Sequence, residues 1–137
     1  MKKIFLAIAT TFGLNFVWEI SQSFLYAPHY RSLGELINIH LWASGGDVVM
    51  VAGILLADEF VFKRIFKGEN EKRQRLLAIV FVGFLLAVLV EKYALANSMW
   101  SYNAWMPVLP ELNVGLTPVL QMMLIPLVTQ LFLENRK

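Results

Sequence analysis

Four long apolar stretches dominate this sequence, and no other feature restricts its fold as strongly. A helix needs about 20 mostly apolar residues to cross the hydrocarbon core of a bilayer. The stretches that meet this requirement cover residues 4–26, 37–62, 76–96 and 114–133. Because 58% of the residues are hydrophobic and only 16% are charged, a chain of this size has too few polar groups to cover itself in water. We therefore predict an all-α fold, a polytopic membrane four-helix bundle in which residues 1–137 form a single membrane domain.

The basic residues predict how this bundle is oriented. Ten of the twelve Lys and Arg residues fall on one side of a four-span chain, at residues 2–3, 63–75 and 136–137. Loops rich in Lys and Arg stay in the cytoplasm, and only Arg31 and Lys92 remain for the other side. We therefore expect the N and C termini to be cytoplasmic, together with a solvated loop over residues 63–75. The expected location is the inner (plasma) membrane, as a multi-pass protein in contact with membrane lipid.

Several classes of chemistry are excluded by the residues that are missing. The chain has no cysteine, which rules out thiol catalysis and Cys-ligated zinc. No phosphate-binding loop, dinucleotide fingerprint or serine nucleophile elbow occurs. The basic residues lie in short stretches typical of membrane topology, so no nucleic-acid partner is expected. His40 with nearby carboxylates offers only a weak set of metal ligands, and we predict no metal and no cofactor.

Each predicted span carries a polar residue at a similar depth. At a rise of about 1.5 Å per residue, these residues lie about 8–15 Å below the outer ends of their spans; they are Glu19, Asp47, Glu91 and Gln121. Ionisable groups inside a membrane usually face the interior of the bundle. We therefore predict that the four side chains meet in one polar pocket in the outer half of the bundle.

The spacing of the neighbouring polar residues supports this pocket. Asn15, Glu19, Gln22 and Tyr26 follow one another at intervals of four, three and four, and His40, Ser44 and Asp47 at intervals of four and three. Both series form a single stripe on a helix, so we expect both stripes to face inward. Gly45 and Gly46 are predicted to allow close approach of a helix or ligand, and Pro118 and Pro126 to kink the fourth span.

The two outer connections differ in character. Residues 27–36 form a short loop, in which His29 is interpreted as an ordinary loop residue. Residues 97–113 form a longer loop that contains Trp100, Tyr102 and Trp105. Aromatic residues collect at the headgroup level of a membrane. We therefore expect this loop to lie on the outer surface and to cover the pocket, and the tryptophans to act mainly as interface anchors.

A purely structural interpretation competes with a functional one. Polar residues also join helices through hydrogen bonds, and for Asn15, Ser44 and Gln121 taken singly this is the favoured explanation. Buried carboxylates fit the structural explanation less well, because Asn or Gln would form the same bonds without a charge.

Burial and mutual repulsion favour a protonated carboxyl beside an ionised one, which is an acid/base pair. We predict Glu19, Asp47 and Glu91 as catalytic residues. The predicted substrate-binding residues are Asn15, Trp18, Gln22, Tyr26, His40, Trp42, Trp100, Tyr102 and Gln121.

Two resemblances bear on these residues. Asn15-Phe16-Val17-Trp18-Glu19 resembles the Asn-x-x-Trp-Glu element of the fungal integral-membrane terpene cyclases of meroterpenoid pathways, and Trp42 and Asp47 look like a Trp and an Asp that follow it. This resemblance implies that Glu19 is the acid that starts cyclisation, although those enzymes have more than four spans. The chain is also similar to small uncharacterised bacterial four-helix integral membrane proteins, through Trp18-Glu19-Ile20-Ser21-Gln22 and the loop from Trp100-Ser101-Tyr102 to Met106-Pro107; that likeness implies no activity.

Three functions remain open at this point. The first is a membrane enzyme that uses buried carboxylates to isomerise or cyclise a lipid-soluble, isoprenoid-like small molecule. The second is a small proton-coupled transporter or binding protein for a hydrophobic solute. The third is a non-catalytic assembly partner in a membrane complex. A homodimer that completes the pocket is compatible with the sequence.

Overall fold

A computed structural model describes residues 2–135, and these residues are mostly helical. Four long helices account for most of the chain: α1 (Lys2–Gln22), α2 (Leu33–Ala57), α3 (Glu71–Ala96) and α4 (Leu116–Glu134). A short 3₁₀ turn, Ser23–Leu25, extends α1. A π-helical segment, Asp58–Phe62, and a last turn, Lys63–Ile65, continue α2. The predicted number and order of helices is therefore confirmed.

Three of the helices are long and apolar enough to cross a membrane. They are Leu33–Ile65, which is α2 with its continuation, together with α3 and α4. Their composition and length indicate a membrane protein. α2 and α3 begin before the predicted spans 37–62 and 76–96, because polar residues extend each helix beyond its apolar part. α2 begins at Leu33 because the Ser32 side chain accepts a hydrogen bond from the backbone N–H of Glu35, which caps the helix.

The most buried of these three helices is α4, which packs against α1, α2 and α3. Its crossing with α3 is especially close at Gly83, where a Cβ would lie 3.0 Å from the carbonyl carbon of Met122 and closer still to its oxygen. Pro126 follows four residues after Met122 and has no N–H to offer that carbonyl. The helix continues through Pro126. The Met122 carbonyl, which lacks its usual N–H donor, faces Gly83 of α3.

Of the two predicted roles of Gly45 and Gly46, close approach of a helix is wrong, whereas close approach of a ligand stays a prediction. A Cβ built on either residue meets no atom within 4 Å. The closest helix approach among the described glycines is at Gly83 instead. The sequence does not distinguish these positions, because small residues mark an interface only when a partner helix actually faces them.

A buried ionic cluster closes the end of the bundle at which α3 begins and α4 ends. Asp58 is 1% exposed and Arg75 is 8% exposed. Arg75 Nε donates to Asp58 Oδ1 at 2.8 Å, and Gln130 Nε2 donates to Asp58 Oδ2 at 2.9 Å. Arg75 also pairs with Glu134 at 3.2 Å. The expectation of a fully solvated charged loop is therefore wrong for Arg75, which joins α2, α3 and α4.

The opposite end, called the loop end below, is formed by residues 23–32 and 97–115. A two-stranded antiparallel hairpin lies here, β1 (Val108–Leu109) paired with β2 (Val114–Gly115). An isolated β-bridge joins Tyr26 to Tyr102. The Asn103 side chain donates to the backbone carbonyl of Phe24. These bonds fix the long loop against the end of α1 and place Trp100 and Tyr102 above the bundle.

Candidate functional site

A cavity of about 420 Å³ lies between the helices near the loop end. Glu19 of α1, Asp47 of α2, Glu91 of α3 and Gln121 of α4 all line it. The predicted convergence of the four side chains on one pocket is therefore confirmed. Apolar side chains form much of the remaining wall: Ile39, Ala43, Met50, Ala87, Val90, Met99, Pro118 and Met122. The volume lies within the range of small-molecule sites.

Glu19 and His40 form a pair across α1 and α2. His40 Nδ1 lies 3.2 Å from Glu19 Oε2, and the other carboxylate oxygen, Oε1, accepts from Gln22 Nε2 at 3.0 Å. The side chains of Glu19 and His40 are 13% and 4% exposed. Both oxygens of Glu19 thus face hydrogen-bonding groups, and the pair is held at the cavity wall by two helices rather than by a loop.

Gln121 connects the polar groups of three helices. Its Nε2 lies 2.9 Å from Asn15 Oδ1 and 2.9 Å from Asp47 Oδ2, and its Oε1 accepts from Gln22 Nε2 at 3.0 Å. Asn15 in turn donates to the carbonyl of Thr11 at 3.0 Å. This network fixes the carboxylate of Asp47 and ties it to the Glu19 side of the cavity through Gln22.

Glu91 is held by the aromatic residues of the long loop. Tyr102 donates its hydroxyl to Glu91 Oε2, and Trp100 Nε1 donates to the same oxygen at 3.4 Å. The Tyr102 hydroxyl accepts from the backbone N–H of Gly115 at 2.8 Å. Burial, together with the hydrogen bond to Glu91, raises the pKa of Tyr102 above its ordinary value. Tyr102 therefore stays a protonated donor and anchors Glu91 to the loop.

Two buried side-chain atoms near the cavity, Gln22 Oε1 and His40 Nε2, have no hydrogen-bond partner among the described residues. His40 is 3% exposed, and its Nε2 makes no hydrogen bond with any described residue. The ring of His29 lies edge-on to that of His40, with centroids 5.5 Å apart, and His29 also lines the cavity. The interpretation of His29 as an ordinary loop residue missed this position. Its spacing from His40 gives no helical signal, because the loop folds back over the cavity.

The predicted site residues separate into three groups. Those that line the cavity are Glu19, Tyr26, His40, Asp47, Glu91, Trp100 and Gln121. Asn15, Gln22 and Tyr102 lie behind this wall and hydrogen-bond to residues that line it.

Trp18 and Trp42 do not line the cavity. Trp18 packs against the apolar core, and Trp42 is 78% exposed because its helical position turns it away from the bundle. The catalytic and binding roles of the predicted site residues stay predictions.

The described residues were also compared with the ligand sets that hold metal ions. Within residues 2–135, no three His, Asp or Glu side chains come together as ligands of a metal ion would. The cavity instead offers carboxyl, imidazole and phenol groups, which can give or take protons, and an amide, which donates and accepts hydrogen bonds.

Comparison with known proteins adds no relative. No protein-family model, curated protein or solved structure matches this chain.

Proposed function

We propose that this protein is an integral membrane enzyme that performs acid/base isomerisation or cyclisation of a lipid-soluble, isoprenoid-like molecule. The single observation that carries the proposal is the meeting of Glu19, Asp47 and Glu91, from three helices, on one largely apolar cavity. Structural hydrogen bonding alone would not require three carboxyl groups around a space of about 420 Å³. The local likeness of Asn15 to Glu19 to the terpene cyclases is compatible with this proposal.

The proposed chemistry needs no cofactor. A protonated carboxyl adds its proton to one carbon of a double bond, and a neighbouring base removes a proton from another carbon. The proton count is unchanged, so the product has the mass of the substrate. Positioned acids and bases of this kind typically contribute about 10²–10⁴-fold to rate. The network through Gln22 and Gln121 supports the proposal, because it fixes the carboxyl groups of Glu19 and Asp47 beside the same cavity.

The proposed setting is the inner membrane. The proposed topology has four passes with the termini and residues 63–75 in the cytoplasm, which is the side favoured by the distribution of Lys and Arg. In this orientation the cavity lies in the outer half of the bilayer.

Glu19→Gln tests the proposal. The substitution keeps the shape and most hydrogen bonds of the side chain but removes its transferable proton. We expect a strain that lacks the protein to be rescued by the wild type and not by Glu19→Gln. Lipid extracts should show two compounds of equal mass and different retention, whose ratio depends on the wild-type protein and not on the variant.

Glu111→Gln is the matched control, because Glu111 is an exposed loop carboxylate away from the cavity. It should rescue fully. Both variants should express and run as folded protein in detergent. Full rescue by Glu19→Gln, with an unchanged ratio of the isomers, would leave Glu19 a structural residue and overturn the proposal.

A further inference from the structure

Glu91 presents an unpaired oxygen to the cavity. Its Oε2 accepts from the Tyr102 hydroxyl and from Trp100 Nε1, whereas its Oε1 makes no hydrogen bond with a described residue. Glu91 is 4% exposed and lines the cavity. Among the described residues, the buried side-chain atoms that lack both a hydrogen bond and accessible surface are Gln22 Oε1 and His40 Nε2. Glu91 Oε1 is not one of them, so the accessible surface of this oxygen lies in the cavity.

The other two carboxyl groups differ in the oxygens that they leave free. Both oxygens of Glu19 are engaged, one by the Gln22 amide and one by His40 Nδ1. Asp47 also lines the cavity and accepts from Gln121 at Oδ2 alone, so its Oδ1 has no hydrogen bond from the described residues. A ligand therefore meets acceptor oxygens from α2 and α3, and Glu19 keeps its transferable proton.

Charge determines which kind of donor these oxygens favour. The donors Tyr102 and Trp100 are partners that suit a buried, ionised Glu91. No described Lys or Arg lines the cavity, and none forms an ion pair with Glu91. A carboxylate that is buried without a cation is costly. A hydroxyl would fill the missing hydrogen bond but leave this charge uncompensated, whereas an ammonium group supplies both.

The uncharged part of the wall also suits a cation with an apolar body. Tyr26 and Trp100 both line the cavity, and their rings are edge-on with centroids 6.4 Å apart. Aromatic rings attract ammonium groups, and the attraction is stronger where water is excluded. Aliphatic and methionine side chains form much of the remaining wall: Ile39, Met50, Val90, Met99 and Met122. The acidic and aromatic groups thus share one largely apolar cavity.

We propose that the cavity binds a lipophilic ammonium, which is a protonated amine with an apolar body. Its N–H group donates to Glu91 Oε1, with Asp47 Oδ1 as a second acceptor. This inference goes beyond the proposed function, because it names a ligand that binds without reacting and that takes no proton from Glu19. Since both molecules occupy the same cavity, the amine also competes with the proposed lipid-soluble substrate.

Two probes of the same shape test the role of charge. 1-Aminoadamantane is an ammonium at neutral pH, and 1-adamantanol carries a hydroxyl on the same rigid cage. Each probe is titrated into purified protein in a non-ionic detergent, and binding is measured by isothermal titration calorimetry. We expect saturable binding of 1-aminoadamantane, at least about tenfold tighter than that of 1-adamantanol. Equal affinities, tighter binding of the alcohol, or no binding of the amine would overturn the inference.

Glu91→Gln removes the charge that the ammonium is proposed to meet. The amide oxygen of the new side chain can still accept from Tyr102 and Trp100, so the contact with the loop is kept. We expect the affinity for 1-aminoadamantane to fall at least about tenfold, as for the loss of a hydrogen bond to a charged group, and the affinity for 1-adamantanol to stay the same. Glu111→Gln is the control, because Glu111 is an exposed loop carboxylate away from the cavity. An unchanged affinity for the amine in Glu91→Gln, or an equal loss in both variants, would overturn the inference.

Asp47→Asn takes the place of Glu91→Gln if that variant does not fold. Asn keeps the shape of the side chain and an acceptor for Gln121, but it removes the charge. We expect the preference for 1-aminoadamantane over 1-adamantanol to shrink in this variant. A preference equal to that of the wild type would then contradict the proposed ammonium site.

The outcomes separate the two proposals. Glu91-dependent binding of 1-aminoadamantane, combined with full rescue by Glu19→Gln, would overturn the enzymatic function and leave the ammonium site standing. Loss of rescue in Glu19→Gln, together with equal affinities for the two probes, would overturn the ammonium site alone.

Discussion

Gly83 of α3 faces the backbone carbonyl of Met122 in α4, and no side chain fits between them. The same carbonyl lacks its usual helical donor because Pro126 stands four residues later. A glycine Cα–H directed at such a carbonyl offers a weak substitute bond. Pro126 and Gly83 are 43 residues apart in the sequence, but both determine the environment of the same Met122 carbonyl. Their shared contact packs α4 closely against α3.

We expect Gly83→Ala to destabilise the protein by about 1–3 kcal/mol, the usual cost of forcing a methyl group into a packed contact. Gly53→Ala is the control: its Cβ meets nothing within 4 Å, and Ala is the better helix former. Thermal unfolding in detergent should show a lower midpoint for Gly83→Ala and an equal or higher one for Gly53→Ala. Equal unfolding midpoints for Gly83→Ala and the wild type would contradict this prediction, because α3 and α4 would then accommodate the methyl group without loss of stability.

Arg75→Met should destabilise the protein strongly, because it leaves Asp58 buried without its cation. Breaking a buried ion pair from one side costs about 3–5 kcal/mol. Arg73→Met, at an exposed position two residues earlier, should have little effect. Chemical denaturation of the purified variants measures the difference.

The double variant Asp58→Leu/Arg75→Met separates the charge from the packing. Replacing both partners removes the uncompensated carboxylate, so it should be more stable than Arg75→Met alone. If the double variant is less stable than either single variant, the cluster stabilises the fold through the Gln130–Asp58 hydrogen bond and the Arg75–Glu134 pair, and not through the Asp58–Arg75 pair alone.

Tyr102→Phe should reduce the proposed activity while the protein remains folded. The variant removes the hydroxyl that donates to Glu91 and that accepts from Gly115. A hydrogen bond to a charged group is worth about 1.5–3 kcal/mol, so we expect a roughly tenfold to hundredfold loss in the isomer-ratio assay described for Glu19. Tyr93→Phe is the control, because Tyr93 is 66% exposed on the same helix as Glu91. Full activity in Tyr102→Phe would remove Glu91 from the proposed machinery.

The proposed topology is tested by cysteine labelling, for which the chain provides a background without cysteine. Asn70 and Ala104 are exposed at opposite ends of the bundle, and replacing Ala104 preserves the hydrogen bond of Asn103 that fixes the loop. A membrane-impermeant maleimide added to intact spheroplasts should label Ala104→Cys and should label Asn70→Cys only after lysis. Labelling of both from the same side would contradict the four-pass arrangement.

The sequence predicted the helices and the cavity because both follow from local patterns. Long apolar runs determine the helices, and the stripe from Asn15 to Tyr26 marks an inward face wherever the partners lie. The sequence could not show that Trp42 points away from the cavity, because an aromatic residue in an apolar span is compatible with lipid and with protein alike. Arg75 was misplaced because a charge at the end of a span looks solvated until the side chains of Asp58 and Gln130 are known to reach it. His29 and Gly83 depend on contacts between distant segments, which no local spacing encodes.

The unequal lengths of the helices have a mechanical consequence. At about 1.5 Å per residue, the 33 residues of α2 with its continuation span about 50 Å, whereas the 19 residues of α4 span about 28 Å. A hydrocarbon layer of about 30 Å matches α4, but α2 has to lean or to project from it. In the proposed membrane setting, we therefore expect a thinner or thicker bilayer to change the tilt of α2 more than that of α4. Since Gly46 and Asp47 of α2 line the cavity, a change in this tilt would move one wall of the cavity.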